Sequence, residues 1–258
     1  MSLSMQGKMY YRTGFLINLF TPFILLVGQL LLWNSIYGFQ GISTLGGYSR
    51  KDMVSYVLVA FCINNLLTWS SENNLSREIR SGAVISRCIR PVPFLSQFAA
   101  DMCGNILLQA IVNFSIIGVI FALFSKNVAL PTAGSFVLFL CSLSLALLLR
   151  ILLISLFSLL CFYTTSHLGL SWTRTALTEF FSGALIPISM FPAWLETGTY
   201  FTPFPYMLQA PLSIFLKLPL PFSLPSAFII QIFWILVLFA LHSLFYGHIR
   251  KNMTLAGG

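Results

Sequence analysis

Charge is what this sequence has least of. Only 8% of the 258 residues are Asp, Glu, Lys or Arg, where a soluble domain carries roughly 25%. Acids are the scarcest, with six Asp and Glu against 14 Lys and Arg, and there are three histidines. Six dispersed carboxylates do not make the clustered acid pair or nucleophile site that a lipid-modifying membrane enzyme needs. His167, His242 and His248 stand far apart, near the ends of apolar runs, and are read as interfacial or hydrogen-bonded residues. No HExxH pair and no GxxxxGK[ST] phosphate loop occurs, and the one Gly-Lys pair, Gly7 and Lys8, lacks the rest of the pattern. This chain therefore does not hydrolyse nucleotide by the phosphate-loop route. Cys62, Cys88, Cys103, Cys141 and Cys161 form no CxxC or metal-ligand spacing, so they are read as small packing residues. Asn74, Asn113 and Asn252 open tripeptides that match a glycosylation pattern by chance.

Apolar residues fill the space that charge leaves. The chain is 57% hydrophobic with 25 phenylalanines, and its mean hydropathy is +0.88. Several runs reach the roughly 20 helical residues needed to cross a hydrocarbon core. Lipid-exposed backbone must satisfy its own hydrogen bonds, and the alternating pattern of a membrane barrel is absent, so these runs are helices. The reading is one all-α integral membrane domain over residues 1–258, with six spans at about 15–37, 53–70, 98–124, 134–163, 171–190 and 225–247. The first run is too long for a signal-peptide core and is taken as a retained span. The fourth run, of about 30 residues, has to tilt or extend beyond the bilayer.

The cations set an orientation. With a cytoplasmic N-terminus, Lys8, Arg12, Arg77, Arg80, Arg87, Arg90, Arg174, Arg250 and Lys251 fall inside, and Arg50, Lys51, Lys126 and Lys217 fall outside. This excess places both termini in the cytoplasm. Trp33, Tyr37, Trp69, Trp172 and Tyr246 lie near span ends, where amphipathic rings prefer the headgroup level. Trp234 is mid-span and is read as helix packing. The charge of +8 marks topology rather than nucleic-acid binding, because no basic, aromatic-interleaved face exists.

Three features ask for a role. Residues 187–225 hold eight of the 12 prolines yet stay apolar. One continuous helix is excluded there, leaving short helical pieces packed on the bundle in the outer leaflet, or a hydrophobic loop covered by a partner chain. Arg150 and Glu179 fall mid-span, where a charge costs at least about 2.5 to 3.5 kcal/mol and so faces the interior, a wet cavity or a partner. They face each other as a static pair, or they line a pathway. Finally, "REIRSGAVISRCIRPVPF", residues 77–94, packs four arginines, a glycine and two prolines between apolar runs. It reads as a short cytoplasmic helix ended by Pro91 and Pro93, and its arginines equally suit a topology anchor touching anionic lipid.

The order and spacing of several pieces carry a resemblance. "EIRSGAVISRCIRPVPF" after the second run, "YYRTGFLINLF" before the first, "GGYSRKDMVSYVL" leading into the second and "SGALIPISMFPAWL" at the end of the fifth resemble ABC-2 type permeases. These are membrane subunits of ATP-driven exporters, and the likeness is closest to bacterial stand-alone subunits of about this length. The resemblance implies a multi-pass protein of the bacterial cytoplasmic membrane that forms a translocation pathway and has no catalytic or metal residue of its own. It assigns Glu78, Arg80, Gly82, Arg87, Arg90, Pro91 and Pro93 to a coupling helix that docks into a separate ATPase. It assigns Gly183, Pro187 and Pro192 to outer re-entrant helices. ATP and Mg would sit on that ATPase, leaving this chain without a cofactor. A second permease protomer is implied, a heterodimer being favoured over a homodimer, with lipid around it. The short segment before the first run leaves room for only a brief interface helix, near residues 4–12. An ion-gradient transporter is the competing reading, but it calls for broken midplane helices and an inverted repeat. A lipid-modifying enzyme and a non-transporting membrane partner also stand as alternatives.

Overall fold

The computed structural model describes residues 12–40, 44–65, 78, 86, 91–104, 132–161, 163, 167–218 and 221–256. Among these, helices dominate. In chain order they are α1 (Arg12–Gln40), a hairpin of β1 (Thr44–Leu45) and β2 (Tyr48–Ser49), α2 (Arg50–Asn65), α3 (Ala133–Leu160), α4 (His167–Phe181), α5 (Ala193–Tyr200), α6 (Gln209–Leu216) and α7 (Leu224–Ala256). Residues 94–104 are also helical, and 3-10 turns occupy Ile188–Met190 and Pro205–Met207.

Local chemistry explains most of the boundaries. Gly46 and Gly47 have φ of 56° and 84°, the left-handed pair that a two-residue hairpin turn requires. They set Leu45 opposite Tyr48 and Thr44 opposite Ser49. Ser49 and Asp52 then form a capping box at the start of α2. The Ser49 amide and hydroxyl donate to Asp52 Oδ2 at 3.1 and 2.7 Å, and the Asp52 amide donates back to Ser49 Oγ at 3.3 Å. Two orphan helix donors are satisfied at once. Pro93 begins the next helical stretch, its carbonyl accepting from the amides of Ser96 and Gln97. The α4 helix stops early, at Phe181, because Gly183 adopts φ 83° and lets the Ala184 amide reach the Glu179 carbonyl at 3.2 Å. That is the glycine-closed helix ending in which the chain turns away while the last carbonyls stay bonded.

Two helices, Ala133–Leu160 and the Leu224–Ile249 part of α7, are long and apolar enough to cross a membrane. They pack along each other, and α3 also carries α6, the Pro205–Met207 turn and α4, while α1 packs on α2. Three apolar clusters result. One joins α1, the hairpin, α2 and α6 around Trp33, Met53, Tyr56 and Leu212. A second gathers Leu149, Leu152, Leu153, Tyr206, Met207 and Leu238. The third sets Phe94, Phe98 and Met102 against Ile151, Ile154, Leu159 and Ile249. The other faces of α1 and α7 stay apolar and exposed, with Ile24, Leu25, Ile229 and Leu244 between 65% and 71% accessible, as a lipid-facing surface requires.

Some side chains sit elsewhere than the span-end reading placed them. Trp33 and Tyr37 are buried in the first cluster, and the Tyr37 hydroxyl donates to the Tyr48 carbonyl at 2.8 Å. Trp172 is exposed, and Trp234 packs in the second cluster. Cys161 is buried and Cys62 half-buried, but Cys103 and Cys141 are exposed and so are not packing residues. His242 is buried and stacks on Tyr246, which stacks in turn on Phe94. It is a core residue, not an interfacial one.

Candidate functional site

Arg150 lies past the middle of α3, in the part of the helix that contacts α4, α7 and the second and third clusters. Its Nη2 donates to Asn64 Oδ1 at 2.8 Å, which ties α3 to the end of α2. Among the described residues its hydrogen bond goes to Asn64 rather than to Glu179. Glu179 nevertheless shares its electrostatic surroundings with Arg150 and also with Arg174. Arg174, one and a half turns before Glu179 on α4, is 6% exposed and donates to Thr175 Oγ1. The sequence reading had placed Arg174 with the inner loop cations, and burial brings it into the same group as the other two. The signal that could have found it is helical spacing, since position 174 lies inside the apolar stretch that ends at Phe181. Glu179 and the two guanidinium groups, within reach of one another's fields, put charge in a part of the bundle that is otherwise apolar. Each charge there must be held by neighbours or by whatever enters.

Above α4 the chain folds into a compact cap formed by residues 183–218. Gly183 is its anchor. Its carbonyl lies 2.6 Å from the Tyr56 hydroxyl, and the same hydroxyl lies 2.6 Å from Gln209 Oε1. One hydroxyl proton serves one acceptor, so the group is complete when Tyr56 donates to Gly183 and the Gln209 amide turns its Nε2 toward the Tyr56 oxygen. A Cβ at position 183 would stand 2.8 Å from that hydroxyl and 2.9 Å from Gln209 Oε1, so the close approach needs glycine for space as well as for φ. Gln29 of α1 donates to the Ala184 carbonyl at 3.0 Å. Ser189 donates to the Gly46 carbonyl at 3.2 Å, and a Cβ at Gly46 would meet Met190 at 2.7 Å. On the other side, the fully buried Gln231 of α7 donates to the carbonyls of Ser142 and Tyr206 at 3.2 and 2.9 Å. The cap is thus pinned to α1, the hairpin, α2, α3 and α7 by polar groups that apolar packing alone does not orient.

Pro187 immediately precedes the 3-10 turn and Pro192 immediately precedes α5, where the missing N–H costs nothing. Gly183, Pro187 and Pro192 therefore belong to one structural unit. Of the positions that the resemblance assigns to a coupling helix, Arg80, Gly82, Arg87 and Arg90 lie outside the described residues. Glu78 is helical and half-buried, and Pro91 and Pro93 are exposed at the start of the stretch that packs on α3. Among the described residues no group of three His, Cys, Asp or Glu is placed to hold a metal ion.

No curated protein and no solved structure matches this chain. A family model described as ABC-2 family transporter protein matches residues 23–257, taking in the hairpin, the charged cluster, the cap and both long apolar helices. With nearly its whole length covered, the chain is an integral membrane protein that belongs to the ABC-2 transporter family.

Proposed function

We propose that this chain is the permease subunit of an ATP-driven exporter in a bacterial cytoplasmic membrane, with six spans, both termini inside and the ATP-hydrolysing residues on a separate ATPase. The observation that carries the reading is the family match over residues 23–257, in a chain with no phosphate loop of its own. In this reading two protomers, preferably of different sequence, enclose the pathway. Residues 77–94 form the coupling helix, with Glu78, Arg80, Gly82, Arg87 and Arg90 contacting the ATPase and Pro91 and Pro93 turning the chain into the bilayer. The cap containing Gly183, Pro187 and Pro192 closes the outer side.

Packing supports a route for the push. Directly after Pro93, Phe94, Phe98 and Met102 bear on Ile151, Ile154 and Leu159 of α3, the turns that follow Arg150. A displacement of the coupling helix reaches the charged cluster through that contact. ATP binding shifts the inward and outward states only by its differential affinity for them, so the contact has to differ between the two. Purification in mild detergent, with identification of the co-purifying chains, tests the proposal. A near-stoichiometric ATPase bearing Walker motifs is the expected result. Its reproducible absence, together with ATP-independent transport in vesicles, overturns it.

A further inference from the structure

Between the hairpin and α5 lies a cleft of about 240 Å³, lined by Gly46, Tyr48, Glu196, Tyr200, Gln209 and Leu218 among others. It is separate from the Arg150 cluster and plays no part in the coupling route. Among the described residues Glu196 is the one charged side chain on its lining. The carboxylate is half-buried, and among the described residues neither it nor the Tyr200 hydroxyl has a hydrogen-bond or ion-pair partner. Glu196 acts electrostatically on Tyr200, and Asp52 acts on Tyr48. Lys217 precedes Leu218 in the chain, but its side chain is exposed and does not line the cleft.

The chemistry selects the occupant. A carboxylate that shares its cleft with two phenols repels anions and attracts a cation. A metal ion needs several hard donors, and one carboxylate does not supply them. An ammonium group fits better, with N–H donors for the two Glu196 oxygens and the Tyr200 hydroxyl. Gly47, with open space where a side chain would stand, leaves that corner of the hairpin rim clear for the remainder of the molecule. We propose that this cleft binds a primary ammonium group, carried either by a lipid headgroup or by a soluble amine.

Ligand-observed NMR on the purified full chain in detergent, with ethanolamine as probe and ethylene glycol as its neutral counterpart, tests this without nucleotide or any partner chain. The outcome is therefore independent of the exporter reading. Ethanolamine is expected to bind and ethylene glycol not. Glu196→Gln is expected to weaken ethanolamine about tenfold or more, and Tyr200→Leu about two- to fivefold. Nanodiscs then separate the sources. Loss of ethanolamine binding in phosphatidylethanolamine discs, but not in phosphatidylglycerol discs, identifies the lipid headgroup, whereas equal binding in both identifies a soluble amine. Equal binding of the two probes overturns the proposal, as does an unchanged affinity in a Glu196→Gln protein whose thermal midpoint matches the parent. Should that variant fail to fold, the comparison of the two probes on the unaltered chain still decides.

Discussion

Gly183 and Lys217 occupy the same left-handed region of backbone space, one with the residue suited to it and one without. At Gly183 the φ of 83° is joined by crowding from Tyr56 and Gln209. Gly183→Ala is therefore expected to destabilise the protein by about 1–3 kcal/mol, read as a lowered thermal midpoint. Gly198, inside α5 with open space around it, is the control, and Gly198→Ala is expected to stabilise by up to about 1 kcal/mol. Lys217, at φ 55°, lets the Leu218 amide bond the Ser213 carbonyl at 3.0 Å. Since an L-residue there costs roughly 1–2 kcal/mol, Lys217→Gly is expected to raise the midpoint. Arg150 calls for a different measurement. A double-mutant cycle between Arg150 and Asn64 is expected to show coupling within the roughly 0.6 to 1.7 kcal/mol seen for polar contacts in membranes. A cycle between Arg150 and Glu179 that returns zero would remove the reading of the two as a pair.

Among the elements, the cap of residues 183–218 behaves as one unit held by tyrosines. None of its helices is long enough to cross a hydrocarbon core, which takes about 20 residues. Burial pushes the Tyr206 phenol up to about 12, and burial followed by the Glu196 carboxylate raises Tyr200 also. The unfolded phenols ionise near pH 10, below the folded ones. The cap therefore keeps its full stability below about pH 10 and loses it as pH rises toward 12. Absorbance of tyrosinate at 295 nm is expected to rise late and cooperatively with unfolding, and an early, non-cooperative rise would show these rings to be solvated. The cap was readable in outline, because proline density excludes a single helix in residues 187–225. The hairpin was missed by the all-α reading, although Gly46 and Gly47 stand between Thr44-Leu45 and Tyr48-Ser49, because two strands of two residues each are too short to leave a periodic pattern. The end of α4 was harder. Apolar residues continue from Phe181 through Ile186, and hydropathy does not distinguish a helix that goes on from one that turns at Gly183.

For the whole molecule, the orientation argument makes a prediction that needs no partner. In a variant with all five cysteines replaced, a single cysteine at Thr197 is expected to react with a membrane-impermeant maleimide in intact cells. One at Thr254 is expected to react only after permeabilisation. The reverse pattern would invert the topology and remove residues 77–94 from the ATPase side. Charge reversal at Arg87 and Arg90 is expected to weaken ATPase association while insertion is unchanged. Unchanged association would return that segment to the role of lipid anchor.

What could be read from composition and order alone was the solvent and the absence of one kind of chemistry. Scarce charge and long apolar runs demand a bilayer, and the missing phosphate loop excludes nucleotide hydrolysis by that route in this chain. These are properties of local sequence, summed over windows, and need no contact between distant residues. The gathering of Arg174 with Arg150 and Glu179, the docking of Gly183 on Tyr56 and Gln209, and the cleft around Glu196 are of another kind. Each joins residues from separate helices or turns, and each depends on where α4 stops and how the cap folds back. A left-handed glycine sets that point, and its carbonyl meets the Tyr56 hydroxyl, 127 positions upstream, which in turn meets Gln209. Such partners are chosen by packing, which a one-dimensional pattern of polar and apolar residues does not encode.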